Sequence, residues 1–102
     1  MKTYRKHKDF FLEELQSEEA IKAYLEIAFE NLEQDKDFKA FLLAIRTIAE
    51  AKGGINALAL KTAFTRQSIY KALSLKGNPR LDTLWAILNA LGYTLTLKTL
   101  KA

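Results

Sequence analysis

Only one proline and four glycines interrupt the 102 residues, and they cluster at Gly53-Gly54, Gly77-Asn78-Pro79 and Gly92. Between these points apolar residues recur at helical spacing. The chain is therefore confined to several helices with almost no length left for loops. Ser17 reads as an N-cap, followed by Glu18 and Glu19 against the positive end of a helix dipole and by Ile21, Leu25, Ala28 and Leu32 on one stripe. That helix should end near Gln34. A second should begin around Asp35 or Asp37, carry Phe38, Phe41, Leu42, Ile45, Ile48 and Ala49 on one face, and stop at the glycine pair. Upstream, Asp9 to Leu15 is expected to form a short helix with Phe10, Phe11 and Leu15.

After Gly54 the rhythm shortens. Ile55, Leu58 and Ala59 mark the inner face of a helix over about residues 56–62, and Thr65 caps another whose inner face is Ile69, Ala72 and Leu73. Residues 74–80 must form a loop. Leu81, Leu84, Trp85, Leu88 and Leu91 then share a helical stripe that places Trp85 in the core. In the last ten residues Tyr93, Leu95 and Leu97 alternate with Thr94, Thr96 and Lys98, which is the period of a β-strand in need of a partner.

Charge is divided along the chain. Residues 1–50 hold eight Lys/Arg against eleven Asp/Glu, whereas residues 51–102 hold eight against Asp82 alone, so halves of −3 and +7 make the net +4. A basic half of this kind fits a polyanion, and an acidic half fits a different task. The absence of cysteine suits a reducing cytoplasm, and the basic start is followed by a stretch that Glu13 and Glu14 make unfit for a signal peptide. No apolar run is long enough for a membrane span.

Catalysis has no foothold in these residues. His7 stands without Cys or a second His, so no metal site is expected. Neighbouring residues on a helix diverge by about 100°, so Glu13-Glu14 and Glu18-Glu19 do not form facing acid–base pairs. Ser17 and Ser68 have no adjacent base, and the glycines form no phosphate-cradling loop. Neither an enzyme activity nor a cofactor is expected.

Two short helices joined by a three- or four-residue turn form a helix-turn-helix, whose second helix enters the DNA major groove. Ala59 is small enough for the close crossing, Phe64 plugs the turn, and Ile69 and Leu73 anchor the second helix. Arg66, Gln67, Ser68, Tyr70 and Lys71 are left on an exposed face suited to base edges and phosphates. Tyr70 has two readings, a hydroxyl on a phosphate or a ring covering the Ile69 side.

The runs Ala57-Leu58-Ala59, Thr65-Arg66-Gln67-Ser68-Ile69-Tyr70-Lys71-Ala72-Leu73, Gly77-Asn78-Pro79-Arg80-Leu81-Asp82-Thr83-Leu84 and Ala90-Leu91-Gly92 resemble the lambda-repressor-like domain of HigA-type addiction-module antitoxins. Within that superfamily the likeness is to the addiction-module antidote group. Ala23-Tyr24-Leu25 and Ala51-Lys52-Gly53 extend it upstream. Ala63 departs from the pattern, because many such turns carry glycine at positive φ.

The resemblance implies an all-α, lambda-repressor-like helix-turn-helix bundle. Residues 1–36 would be an N-terminal helical extension open to toxin or dimer contact, and residues 37–102 the DNA-binding domain with its C-terminal strand. It further implies that Arg66, Gln67 and Lys71 read bases, with Thr65, Ser68 and Tyr70 at or near the DNA backbone. Lys61, Lys76, Asn78 and Arg80 would contact phosphates. The implied partners are an operator, most simply an inverted repeat, a second copy of the chain, and a toxin similar to RelE or HigB. A prophage-type repressor without a toxin and a helical protein-interaction module are the other readings. Phe10, Phe11, Leu12, Tyr24, Phe29, Phe38, Phe41 and Leu43 either complete the core or cover a partner.

Overall fold

The computed structural model describes residues 17–100. Within them lie five helices, α1 (Glu18–Asp35), α2 (Phe38–Ala51), α3 (Gly54–Lys61), α4 (Arg66–Ala72) and α5 (Leu81–Ala90). The expected Asp9 to Leu15 helix, Phe10, Phe11, Leu12, His7 and the pair Glu13-Glu14 fall outside the described residues.

The first two helices form an antiparallel hairpin around a two-residue link, Lys36-Asp37, and each helix is started by a short polar side chain. Ser17 Oγ accepts the Ala20 amide at 3.0 Å to start α1, and Asp37 Oδ1 accepts the Ala40 amide at 3.1 Å to start α2. Between them Lys36 sits in the left-handed region at φ +57, and its amide donates to the Leu32 carbonyl at 2.9 Å. The hairpin then zips through Phe29 and Phe41, whose rings meet edge to face at 4.5 Å. Phe41 is buried, Tyr24, Phe29 and Phe38 lean on the core, and Leu43 is exposed.

Helix α2 runs through the centre of the core. Leu42, Ile45, Ile48 and Ala49 have no solvent exposure. They share one apolar cluster with Ile21 and Leu25 of α1, Ile55 and Leu58 of α3, Ile69 and Leu73 around α4, and the inner face of α5. Each fully buried Leu or Ile contributes about 1.5 to 3 kcal/mol. Gly53 and Gly54 at φ +108 and +87 turn the chain sharply, so α3 begins at Gly54, two residues before the position that periodicity predicts.

The α3–α4 turn does without glycine. Lys36 is the one non-glycine residue at positive φ among those described, so Ala63 is unstrained. Thr62 supplies the closure instead: its hydroxyl donates to the Leu58 carbonyl at 3.1 Å and accepts the Phe64 amide at 3.2 Å. Phe64 thereby tucks against the core as the expected plug.

One expectation for the C-terminal part is overturned, and the expected strand is not seen among the described residues. Trp85 is not core: α5 buries Leu84, Ile87 and Leu88, with Leu91 just beyond, while Leu81 and Trp85 lie one turn apart on the outer face, 63% and 40% exposed. The stripe had two apolar sides, and spacing alone could not say which one met α2 and α3. Nor do Tyr93, Leu95 and Leu97 form a strand, since residues 93–100 carry no regular structure and nothing described pairs with their backbone. The alternation survives as burial, with Tyr93 and Leu95 leaning on the core and Thr94 and Thr96 exposed. Gly92, at φ +100, turns this tail inward, and the Tyr93 amide donates back to the Leu88 carbonyl at 2.9 Å.

Lys52 ties these ends together. Its ammonium donates to the Leu91 carbonyl at 2.7 Å, pairs with Glu18 at 3.3 Å and lies 5.3 Å from the centre of the Tyr93 ring. The Tyr93 hydroxyl is buried without a hydrogen-bond partner among the described residues. Burial, and secondarily the Glu18 carboxylate, raise its pKa above the ordinary tyrosine value.

Two outcomes follow from these turns and ends. Thr62→Val should cost about 1 kcal/mol in chemical denaturation, and Ala63→Gly should also destabilise, by about 0.5 to 1 kcal/mol, because the native φ needs no glycine. For Tyr93 the folded chain holds its proton more tightly than the unfolded one. Stability that is fully present below about pH 10 should therefore decline as pH rises past the folded value. Tyr93→Phe should flatten that alkaline decline in urea titrations and leave the protein at neutral pH as stable or more so, by up to about 1 kcal/mol.

Candidate nucleic-acid interface

Helix α4 is short, and two residues orient it. Ile69 and Leu73, one turn apart, are buried in the core, so every other long side chain on the helix points outward. Arg66, Gln67, Ser68, Tyr70 and Lys71 are all exposed. Thr65 Oγ1 accepts the Ser68 amide at 3.1 Å, and the Ser68 hydroxyl returns a hydrogen bond to the Thr65 carbonyl at 2.9 Å. Both hydroxyls are thus engaged in holding the first turn.

The outward face forms a ridge between two grooves. Arg66 and Tyr70 line one of them, opposite Glu50 in the last turn of α2 and Gly53, Gly54, Ile55 and Asn56 at the start of α3. There Arg66 Nη1 donates to Asn56 Oδ1 at 3.0 Å, which directs the guanidinium. The Tyr70 ring lies under the guanidinium of Arg46 from α2, 5.1 Å from carbon to ring centre, so the ring serves as a platform for a cation. Ser68 and Lys71 line the second groove, where Phe64, Pro79 and Ile87 form its apolar wall and Lys76 and Asn78 also line it. Gln67 borders neither groove and stands on the crest.

The loop that carries Lys76 and Asn78 is pressed onto the end of α4. The Gly77 amide donates to the Ser74 carbonyl at 2.9 Å, and a Cβ at Gly77 would come within 2.3 Å of the Ala72 carbonyl oxygen. Only glycine allows that approach without displacing backbone.

Two further residues singled out from sequence lie on the elements that flank α4. Arg80, just ahead of α5, is held by Asp82 through contacts of 3.2 and 3.3 Å, and its guanidinium keeps the Asp82 carboxyl below the ordinary aspartate value. Lys61 is the last residue of α3 and lines a crevice with Lys52, Gly54, Ala57, Leu58, Ala90 and Leu91. Arg46 and Asn56 join the site without having been legible in the sequence, because both reach α4 only through the crossing of helices. No group of three or more His, Cys, Asp or Glu converges among the described residues. No helix among them is long and apolar enough to cross a membrane.

Fold and site define a small all-helical protein with a central buried helix and an outward, cation-bearing short helix. The family described as "Probable addiction module antidote protein" matches residues 7–99, and the chain belongs to it. An uncharacterised protein of Haemophilus influenzae is 38% identical over 85 residues, covering 82% of each chain. No solved structure matches.

The backbone approach at Gly77 has a measurable consequence. Gly77→Ala should lower stability by about 1 to 3 kcal/mol in thermal unfolding, because loop or helix end must shift. Lys76→Ala, at an exposed position beside it, should stay within about 0.5 kcal/mol of the parent chain.

Proposed function

We propose that this protein is a DNA-binding antitoxin that represses its own operon and neutralises a co-encoded toxin similar to RelE or HigB. Membership of the antidote family supports the antitoxin role and, in general terms, a toxin as partner. The observation that carries the DNA-binding part is the ridge of α4, with Arg66, Gln67 and Lys71 exposed on a helix pinned from behind by Ile69 and Leu73. In this reading α3, the Thr62–Thr65 turn and α4 are a lambda-repressor-like helix-turn-helix, and α4 lies in the major groove.

Arg66 is the leading base contact. Its hydrogen bond to Asn56 orders the side chain before DNA arrives, which reduces the cost of immobilising it by about 0.5 to 1.5 kcal/mol. Gln67 and Lys71 contact bases beside it, and Tyr70 carries Arg46 towards the backbone. Lys76 and Asn78 meet phosphate across the second groove. Thr65 and Ser68 act mainly by holding the first turn in shape. Arg80 exchanges Asp82 for phosphate on binding, and Lys61 contributes charge at longer range. A homodimer presents two copies of α4 about 34 Å apart to an inverted repeat. Leu81 and Trp85 are exposed apolar side chains that a second copy would cover. The protein acts in the cytoplasm and by binding alone, without catalysis or a cofactor.

Fluorescence anisotropy against the duplex upstream of the gene and a scrambled duplex, at two salt concentrations, tests the reading. Arg66→Ala should weaken the specific complex by about 1 to 3 kcal/mol and relax sequence choice, whereas Lys76→Ala should weaken both duplexes alike and flatten the salt dependence. An equal loss on both duplexes in both variants would overturn these roles.

A further inference from the structure

The helical hairpin carries a second recognition surface on a different part of the molecule. Between α1 and α2 runs an open groove whose walls include Tyr24, Ile27 and Leu32 and whose α2 side is made of Ala40, Phe41 and Ala44. The two alanines leave room there above the Phe41 ring. Ile27 is 55% exposed and lies in the groove beside Tyr24, Ala28 and Leu32, so its side chain belongs to a continuous apolar lining. At one end stand Asp35 and Asp37. Helix α1 itself carries Glu18, Glu19, Glu26, Glu30, Glu33 and Asp35 against the single cation Lys22. The surface is thus an apolar slot in a strongly acidic surround, the opposite in sign of the ridge on α4.

We propose that this groove is where the antitoxin seats its toxin, as a basic protein that inserts a large apolar side chain over Ile27 and sets Lys or Arg against Glu30, Glu33 and Asp35. The inference rests on the antitoxin reading above and assigns it a surface. Charge selects among occupants: DNA is repelled by this helix, and a second copy related by two-fold symmetry would bring one acidic α1 against another. A basic protein gains both the apolar contact and the charge pairing. Because α1 packs chiefly on α2, the toxin and the operator can be held at the same time. Residues 1–16, with Lys2, Arg5, Lys6 and Lys8 ahead of Phe10-Phe11, have related chemistry, and their occupancy is separated by the experiment.

The probe is the protein encoded by the reading frame adjoining the gene, titrated calorimetrically into the full chain and into its Ile27→Arg, Asp35→Lys and Arg66→Ala variants. Ile27→Arg should weaken this complex about tenfold or more, as loss of a central apolar anchor does. Asp35→Lys should weaken it severalfold and reduce its salt dependence. Both should bind the upstream duplex at least as well as the parent chain, and Arg66→Ala should bind the probe normally. If the parent chain binds the probe and both groove variants bind it equally well, the groove assignment fails while the antitoxin reading stands. If the parent chain does not bind it, the antitoxin reading fails and the assignment with it. A marked fall in melting temperature of free Ile27→Arg would overturn the assignment differently. With oligomeric state unchanged, the groove is already filled by residues 1–16; with it reduced, by a second copy.

Discussion

Burial of α2 is the constraint on which the remaining structure depends. A helix whose Leu42, Ile45, Ile48 and Ala49 are all withdrawn from water must be covered on several sides, and α1, α3 and α5 supply the cover. Removing one of its large side chains would leave a cavity costing about 2 to 5 kcal/mol, a large part of the stability of a domain this size. The polar devices around it are weaker and act on geometry. Lys52 at the end of α2 shows this: an ion pair with an exposed glutamate adds little by itself, but the same ammonium also accepts the role of capping α5 and sits over Tyr93.

Orientation of the candidate site is inherited from that core. Helix α4 is too short to be stable alone, so its outward face exists only because Ile69 and Leu73 are gripped from behind. Its neighbours then decide what the face offers. Asn56 aims Arg66, Arg46 lies over Tyr70, and the loop at Gly77 brings Lys76 and Asn78 to the groove beside Lys71. On the other side of α2 the acidic α1 forms a surface of opposite sign. A single small core thereby keeps two fields of charge apart, which suits two partners of different kind.

Much of this was legible in the chain. Ser17, Asp37 and Thr65 act as the caps their residue types predict, because a short side-chain acceptor can reach an amide three residues on whatever the distant fold. Gly53-Gly54 and Gly92 end helices for an equally local reason. The failures were of another sort. Trp85 shares a helical stripe with core residues but faces out, and the alternation of Tyr93, Leu95 and Leu97 marks a tail with one side against the core rather than a strand. The turn at Ala63, which departs from the glycine pattern, is closed by Thr62 with no positive φ. Arg80 pairs with Asp82, a neighbour visible two residues away in the sequence.

Local chemistry in the sequence therefore determined where helices start and stop, which short helix carries the cations, and that the two halves bear opposite charge. Capping, backbone freedom and periodicity act within a few residues, so they can be read without a fold. Tertiary structure decided which face of α5 is buried, that Arg46 and Asn56 join the site, and that α1 and α2 leave an open apolar groove edged by acids. Those outcomes depend on how helices cross. Crossing is set by the shape of many side chains packed together at once, and no stretch of sequence contains that information by itself.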